Sequence, residues 1–467
     1  MKLPALRIDA QGKRRVDLRA ILSLAWPLFL NTSVQAALNL TDTWFLGRIS
    51  VDAVAAIGGI FFLVLVFVLF LGGVGQAVQT LVAQAFGGGR REYAAASTWA
   101  GLYAAILTAP LYWLAATYGP YIIRPFGLAP QVQLLAEEFW FPRVLGGWIV
   151  VALWGMSGFF NGVGRTRVSL AAAFFVGLAN VAFNQIFMFE LGMGVAGSAW
   201  ATNLAQLLGL LGLIGVFLSG PIRREFNTHR VWQPRLRSIL TLFKLGVPMG
   251  AAATADLVGF AMFQLMLARL GPVEGAASQV VMMLTSLCYM PAIGLALAGT
   301  TLVGQSIGAG DRDWAGRLGN TVIVLCIGYM GIIGLALAFA GEPLVMLFVQ
   351  GDGNAQAVAA LGGTLLWIAA GYQLCDGLQL GCAFCLRGAG DVKFPAAMLL
   401  LLSWLGFVPL THMLTYAPGQ GMVDFLPQFG MGATGSWTAA LVYICALSGL
   451  LIWRWRSGNW RKITLAG

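Results

Sequence analysis

Charge is what this chain lacks. Only 10% of its 467 residues are Asp, Glu, Lys or Arg, against about 25% in an ordinary soluble domain. Histidine is nearly absent. The two present, His229 and His412, lie far apart and near the ends of apolar runs, which leaves no metal or nucleophile constellation of the kind an enzyme needs. The six cysteines (Cys288, Cys326, Cys375, Cys382, Cys385 and Cys445) all fall inside apolar stretches, as packing thiols do, and build no disulfide framework. Cys382 and Cys385 form a CxxC without a second pair, a weak metal or redox signal. The glycine-rich segments GGGRRE and GAGDRD follow no soluble strand and lack the Lys-Ser/Thr ending of a P-loop. They read as helix stops, with glycine supplying the left-handed cap. No ATPase motif occurs, so a transporter built on this chain must draw on an ion gradient.

What the chain has is apolar length: 59% of its residues are hydrophobic and its mean hydropathy is +0.80. At about 20 apolar residues per crossing, it holds twelve spans, near 19–47, 53–86, 95–118, 136–161, 168–189, 193–219, 239–270, 275–307, 315–340, 357–386, 394–416 and 432–455. The 61 glycines suit close helix packing in a bilayer rather than disorder. The first ~18 residues are polar and basic, without the apolar core and cleavage site of a leader peptide. They are expected to form a cytoplasmic tail, as a helix lying on the membrane surface. Placing both termini inside puts about 24 of the 28 Lys and Arg on the cytoplasmic side, leaving Arg48, Arg124, Arg143 and Arg269 outside or within spans. A bacterial cytoplasmic (inner) membrane is expected, and no nucleic-acid partner: the basic residues are dispersed between apolar runs.

The expected organisation is a cytoplasmic tail (1–18), an N-lobe of six spans (19–220), a polar cytoplasmic linker (221–238), a C-lobe of six spans (239–456) and a C-terminal tail (457–467). The halves repeat. TLVAQAFGGGRREYAA (80–95) parallels TLVGQSIGAGDRDWAG (301–316), and WPLFL (26–30) meets VPMGA (247–251), both at an offset of about 221 residues. FNGVGRTR (160–167) parallels CLRGAGDVK (385–393) at a slightly larger offset. Six is even, so the repeats run in parallel and predict two bundles about an axis normal to the membrane, with a cleft between them.

Three carboxylates lie well inside apolar helices: Asp42 in LNLTDTWFLG, Asp256 in GVPMGAAATADLVGF and Asp376 in GYQLCDGLQLG. None has a Lys or Arg one helical turn away. A carboxylate at bilayer depth costs on the order of 3 kcal/mol. One reading is a protonated acid that holds helices together. The other is a site for a small cation. Asp256 and Asp376 share a half and can converge on one ion; Na⁺, as a hard cation, prefers oxygen ligands, and Tyr372, one turn before Asp376, adds another oxygen. A proton can neutralise the same groups. In the other half, Asn180 and Asn184 are spaced to hydrogen-bond Asp42. Pro27 and Pro248 occupy corresponding positions, each removes a helix hydrogen bond, and both are candidate hinges.

At these residues the chain resembles the multidrug and toxic compound extrusion (MATE) family, in its NorM-like branch. The motifs that carry the likeness are TDTWFLG, TLVAQAFGGG, NGVGRTR, NVAFN, GVPMGAAATAD, MPAIGLALAGTTLVGQSIGAG and YQLCDGLQLGCAFCLRGAGD. The resemblance implies an all-α polytopic membrane protein of twelve helices in two pseudo-symmetric six-helix bundles. It implies export of organic, often cationic compounds in exchange for Na⁺ or H⁺, with no cofactor beyond that ion and no enzymatic step. It places the cation site on Asp256, Asp376 and Tyr372, with Asp42 as the acid ending the first span. Asp256 stands where Glu is common, and Asn184 where another branch carries an acid; the second departure favours coupling through the C-lobe. The partners implied are small organic substrates and the bilayer, and a monomer is expected. The competing reading is a flippase of a lipid-linked substrate with the same two-lobe fold.

Overall fold

The N-terminal tail folds as a β-hairpin, not as the surface helix expected for it. In the computed structural model, which describes residues 3–49, 51–349 and 354–465, strands β1 (Leu6–Ile8) and β2 (Arg14–Val16) pair antiparallel. Asp9 explains the difference. Its carboxylate accepts the backbone N–H groups of Gln11 (3.0 Å) and Lys13 (2.9 Å) and the Arg15 Nε–H (2.9 Å). Such local side-chain bonds stabilise a turn at the expense of a helix, and Gly12 supplies the left-handed residue (φ +75°). Asp17 then caps α1 by accepting from the N–H groups of Arg19 and Ala20. The hairpin is tied to the second half of the chain through Arg14–Asp311 (2.8 Å) and the Trp314 indole N–H, which donates to the Pro4 carbonyl (2.9 Å).

Beyond the tail the described chain is helical: α1 (Leu18–Gly47), α2 (Val51–Gly87), α3 (Arg91–Thr117), the short α4 (Gly119–Ile123), α5 (Pro130–Leu145), α6 (Gly147–Gly162), α7 (Thr166–Asn184), α8 (Gly194–Phe217), the short α9 (Gly220–Phe226), α10 (Leu236–Ala268), α11 (Pro272–Gly308), α12 (Arg312–Met346), α13 (Ala355–Ala389), α14 (Lys393–Leu401), α15 (Val408–Thr415) and α16 (Gly432–Arg456). Single π-helical turns extend α7 through Glu190 and join α14 to α15. Among the described residues, eleven helices have the length and apolarity to cross a bilayer, and α5 with α6 makes a twelfth, broken span with a 41° bend. The sequence pattern reads this span as one helix. Pro142 withholds a backbone donor near the bend, and its carbonyl, which accepts the Gly146 N–H, also accepts the Asn203 amide of α8. A Cβ at Gly146 would stand 2.2 Å from the Asn203 side chain.

Two hydrophobic cores organise the twelve spans, and each borrows a helix end from the opposite half. Ile21, Ala25 and Leu28 at the start of α1 belong to the second core, whereas Phe45 and Leu46 at its end belong to the first. The pattern inverts in α10: Ile239, Leu242 and Leu245 join the first core, and Phe263 and Leu267 the second. The crossing helices touch backbone to backbone. A Cβ at Gly73 on α2 would lie 2.5 Å from the Gly250 nitrogen on α10, and one at Gly294 on α11 would lie 2.4 Å from the Phe29 nitrogen on α1.

The internal repeat reappears in space as a reciprocal lock between the halves. On α2, Thr80 Oγ1 donates to the Arg387 carbonyl (3.1 Å) and Gln84 Nε2 to the Gly388 carbonyl (2.9 Å). Their repeat partners on α11 do the same in the opposite sense: Thr301 Oγ1 donates to the Asn161 carbonyl (3.0 Å) and Gln305 Nε2 to the Gly162 carbonyl (2.8 Å). All four acceptors lie in the last turns of α6 and α13, where carbonyls run out of intrahelical donors; those of Asn161 and Arg387 also accept the N–H groups of Gly164 and Gly390 just past the helix ends. One feature breaks the symmetry. The buried Arg387 reaches across to the Gln76 side chain (3.0 Å) and carbonyl (2.7 Å), while Asn161 fills the corresponding place in the first half. Apart from the hairpin ties, side-chain hydrogen bonds between the halves are confined, among the described residues, to this lock and to Gln79 with Leu297 and Thr301 and Thr254 with Val66.

Gly87 and Gly308 are the tightest points of the lock, since a Cβ at either would stand 1.9 Å from a carbonyl oxygen of the other half (Gln305 and Gln84, respectively). Gly308→Ala is therefore expected to lower stability by on the order of 1–3 kcal/mol, read as a lower thermal unfolding midpoint. Gly328→Ala is the control, because nothing lies within 4 Å of a Cβ there; equal midpoints for the two variants would refute the tight contact. In the hairpin, the Arg15 guanidinium and the turn amides hold the Asp9 carboxyl below its ordinary 3.8. A lowered value means the stabilisation is full above about pH 4 and is lost as pH falls through the folded-state value. The Lys13 amide resonance is expected to move only at that acidic end of a titration.

Candidate functional site

In the second half, four helices bring carboxylate and phenol oxygens within electrostatic range of one another. Asp376 on α13 is 5% exposed. Asp256 on α10 is half-buried, and its Oδ1 accepts the Tyr443 hydroxyl of α16 at 3.3 Å. Asp256 and Asp376 lie within electrostatic range of each other, and Tyr289 on α11 and Tyr372 on α13 lie within range of both. Among the described residues no Lys, Arg or His forms an ion pair with either carboxylate. The wall behind Tyr443 is aromatic: Phe407 stacks on its ring at 4.9 Å and on Phe263 at 5.6 Å, with Trp437 edge-on to Phe263. Among the described residues no three His, Cys, Asp or Glu side chains converge on a common point. A cation here would rest on two carboxylates, with phenolic and backbone oxygens completing its shell, a donor set suited to a hard ion.

The first half carries a different arrangement. Asn184 on α7 donates to the Asp42 carboxylate (2.7 Å) and to Asn180 Oδ1 (3.1 Å), and Asn180 donates to Thr202 on α8 (3.1 Å). The Asn184 Oδ1 is buried without a partner, so an acceptor sits next to Asp42 with no donor assigned to it. Asp42 is also within electrostatic range of Arg143 on α5. That guanidinium contacts Asn203 (3.4 Å) beside the break between α5 and α6. The absence of a neighbouring cation, true of Asp42 along its own helix, therefore does not hold in three dimensions.

The structure thus brings together Asp256, Asp376 and Tyr372 in one cluster and Asp42, Asn180 and Asn184 in another. Tyr289, Tyr443 and Thr202 are the participants that sequence reasoning missed; Arg143 stands out in the sequence as a cation outside or within a span, but its place near Asp42 does not. Tyr372 is found by its spacing from Asp376; Tyr289 and Tyr443 sit on other helices and carry no local mark. Pro27 and Pro248 lie at the crossings of the halves, not beside the carboxylates. Pro248 falls between Gly246 and Gly250, both pressed on α2, and Pro27 just precedes Leu28 and Phe29, which meet Gly294. Both α1 and α10 run through their prolines as single helices.

Comparison with known proteins follows the same outline. The MatE family profile matches residues 27–186 and 248–411, one segment in each half. The "Probable multidrug resistance protein NorM" of Pseudomonas aeruginosa is 31% identical, covering 95% of this chain and 90% of its own. The protein of the same description from Mesorhizobium japonicum is 29% identical, covering 94% of each chain. Among solved structures, a MOP superfamily transporter from Pyrococcus furiosus superposes with a TM-score of 0.83 at 18% identity, covering 95% of this chain and 96% of that one; at that identity the likeness speaks for the fold. Two matched halves, twelve spans and close agreement in length with its relatives make the conclusion plain: the chain belongs to the MatE family, whose NorM-type members are multidrug efflux transporters and not enzymes.

Proposed function

We propose that this protein exports organic, often cationic compounds in exchange for Na⁺ or H⁺, and that the exchanged ion binds between Asp256 and Asp376. The observation that carries the proposal is the pair itself: two carboxylates lie within electrostatic range of each other with phenols around them and, among the described residues, no basic side chain paired to either. Keeping both charged in a low-dielectric interior is costly unless a cation joins them. Such an ion supplies the missing positive charge, and either ion fits, because Na⁺ takes oxygen ligands and a proton neutralises one carboxyl.

Exchange requires that the ion prefer one arrangement of the halves over the other; without that difference it drives nothing. We take 19–220 and 239–456 as the moving lobes, with both termini and the locked end facing the cytoplasm, since about 24 of the 28 Lys and Arg then lie inside. The locked arrangement is on this reading the outward-facing one, and opening it to the inside breaks the reciprocal Thr and Gln bonds. In the N-lobe, Asp42 with Asn180 and Asn184 is a proton- or substrate-coupled site. A protonated Asp42 would donate to the partnerless Asn184 oxygen. Pro27 and Pro248 are the hinges, placed where a bend changes how the halves cross. Work as a monomer in a bacterial inner membrane completes the reading. A flippase for an anionic lipid-linked substrate would need a free basic group in the cleft, and Arg143 is already engaged with Asp42 and Asn203.

The test is efflux of ethidium or norfloxacin from proteoliposomes, with the Na⁺ and pH gradients imposed separately. Wild-type protein is expected to respond to at least one gradient, and Asp376→Asn to respond to neither while folding normally. Full transport by well-folded Asp376→Asn would defeat the proposal. Tyr443→Phe removes one hydrogen bond to a charged group, an interaction of about 1.5–3 kcal/mol. Because that donor favours the charged carboxylate over the protonated one, its loss is expected to tighten binding of a coupling proton about tenfold or more while leaving maximal efflux nearly unchanged.

A further inference from the structure

Cys375 on α13 and Cys445 on α16 face each other with their sulfur atoms 3.0 Å apart. They are the two cysteines that are not buried: Cys375 is half-buried and Cys445 exposed, whereas Cys288, Cys326, Cys382 and Cys385 are buried. The face on which they lie is apolar, with Trp367 and Leu374 exposed on α13 and Val442 and Trp453 exposed on α16. In a protein of this family such a face meets lipid. The pair therefore lies on the outer side of the α13–α16 seam, within reach of molecules dissolved in the bilayer. On the inner side, Asp376 directly follows Cys375, and Tyr443 stands two residues before Cys445.

We infer that Cys375 and Cys445 are a redox pair that closes to a disulfide when oxidised by a lipid-soluble quinone. Two S–H bonds break and one S–S bond forms. The two electrons and two protons released pass to the quinone, which leaves as the hydroquinone. A disulfide needs an S–S distance of about 2.05 Å, so the sulfurs must approach by roughly one ångström, within reach of small side-chain rotations. No other sulfur pair among the described residues is hydrogen-bonded in this way. The bond would staple the helix bearing Asp376 to the helix bearing Tyr443. A staple there is expected to slow transport at least several-fold, reversibly, by restraining the walls of the carboxylate cluster; this consequence rests on the exchange reading above, while the cross-link does not.

The experiment treats the full-length protein in lipid nanodiscs with duroquinone, then unfolds it without reductant and counts free thiols with a maleimide-polyethylene glycol. The expected result is that two of the six cysteines become unreactive. A peptide linking 375 to 445 should appear on mass spectrometry, dithiothreitol should restore both thiols, and Cys375→Ser should leave five reactive thiols with or without quinone. Six reactive thiols after quinone treatment, or a link that forms between other cysteines, overturns the assignment. In proteoliposomes, quinone should slow ion-driven efflux by wild-type protein but not by Cys375→Ser. Equal rates for wild-type protein whose cross-link is verified would overturn the staple's effect on transport. Absence of ion-driven efflux from the reduced protein would instead count against exchange itself, with the thiol count still deciding the redox pair.

Discussion

Four helix-end carbonyls, each accepting a Thr or Gln side chain from the opposite half, set how the two halves of this protein meet. In lipid there is no hydrophobic force to press helices together, so close packing and interhelical hydrogen bonds must do it. The end of a helix is the one place where its carbonyls are left without partners. Gln84 and Gln305 reach the carbonyls of Gly388 and Gly162 there, and Thr80 and Thr301 reach those of Arg387 and Asn161, which are shared with the N–H groups of Gly390 and Gly164. Glycines on α2 and α11 let the backbones come near enough for these bonds to form. The bonds use groups that water or a loop could also satisfy, so breaking them need not leave buried polar atoms stranded.

The halves are alike in how they meet and unlike in what they hold. In the first half the buried carboxylate, Asp42, has an amide bonded to it and an arginine in range. In the second, Asp256 and Asp376 have phenols and each other within range, and among the described residues no basic side chain pairs with either. Duplication produced a symmetrical frame, and the polar side chains mounted in it diverged. The frame rests on Thr and Gln side chains kept at matching places in both repeats, whereas the site side chains differ between them. The same contrast runs through the lock, where Arg387 crosses to Gln76 and Asn161 stands in the repeated place.

How much of this is legible in the sequence follows from the range over which each signal acts. The spans are legible because apolar length is a local property, and the repeat is legible because TLVAQAFGGG and TLVGQSIGAG kept their glutamines and glycines. The three interior carboxylates stand out against an apolar background. What is not legible comes from distance along the chain. Arg143 is far from Asp42 in sequence, and nothing in the α5 segment marks the meeting. Tyr443 looks like any tyrosine in an apolar helix until α16 is laid beside α10. The break after Pro142 depends on an asparagine on α8 that fills the space. The N-terminal hairpin escaped because a few side-chain bonds around Asp9 outweigh a basic composition that reads equally well as a surface helix.

The exchange of helix ends between the two cores has a further meaning for how the chain reaches its final form. α1 emerges first, yet Ile21, Ala25 and Leu28 have their place among residues made much later. Until α10 and α11 are in the bilayer, the opening segment has no finished surface to rest on. A chain severed in the polar connection between the halves would give two fragments, each missing one wall and each carrying the other's. Neither fragment is complete alone, and the two would have to find one another in the membrane before either could settle.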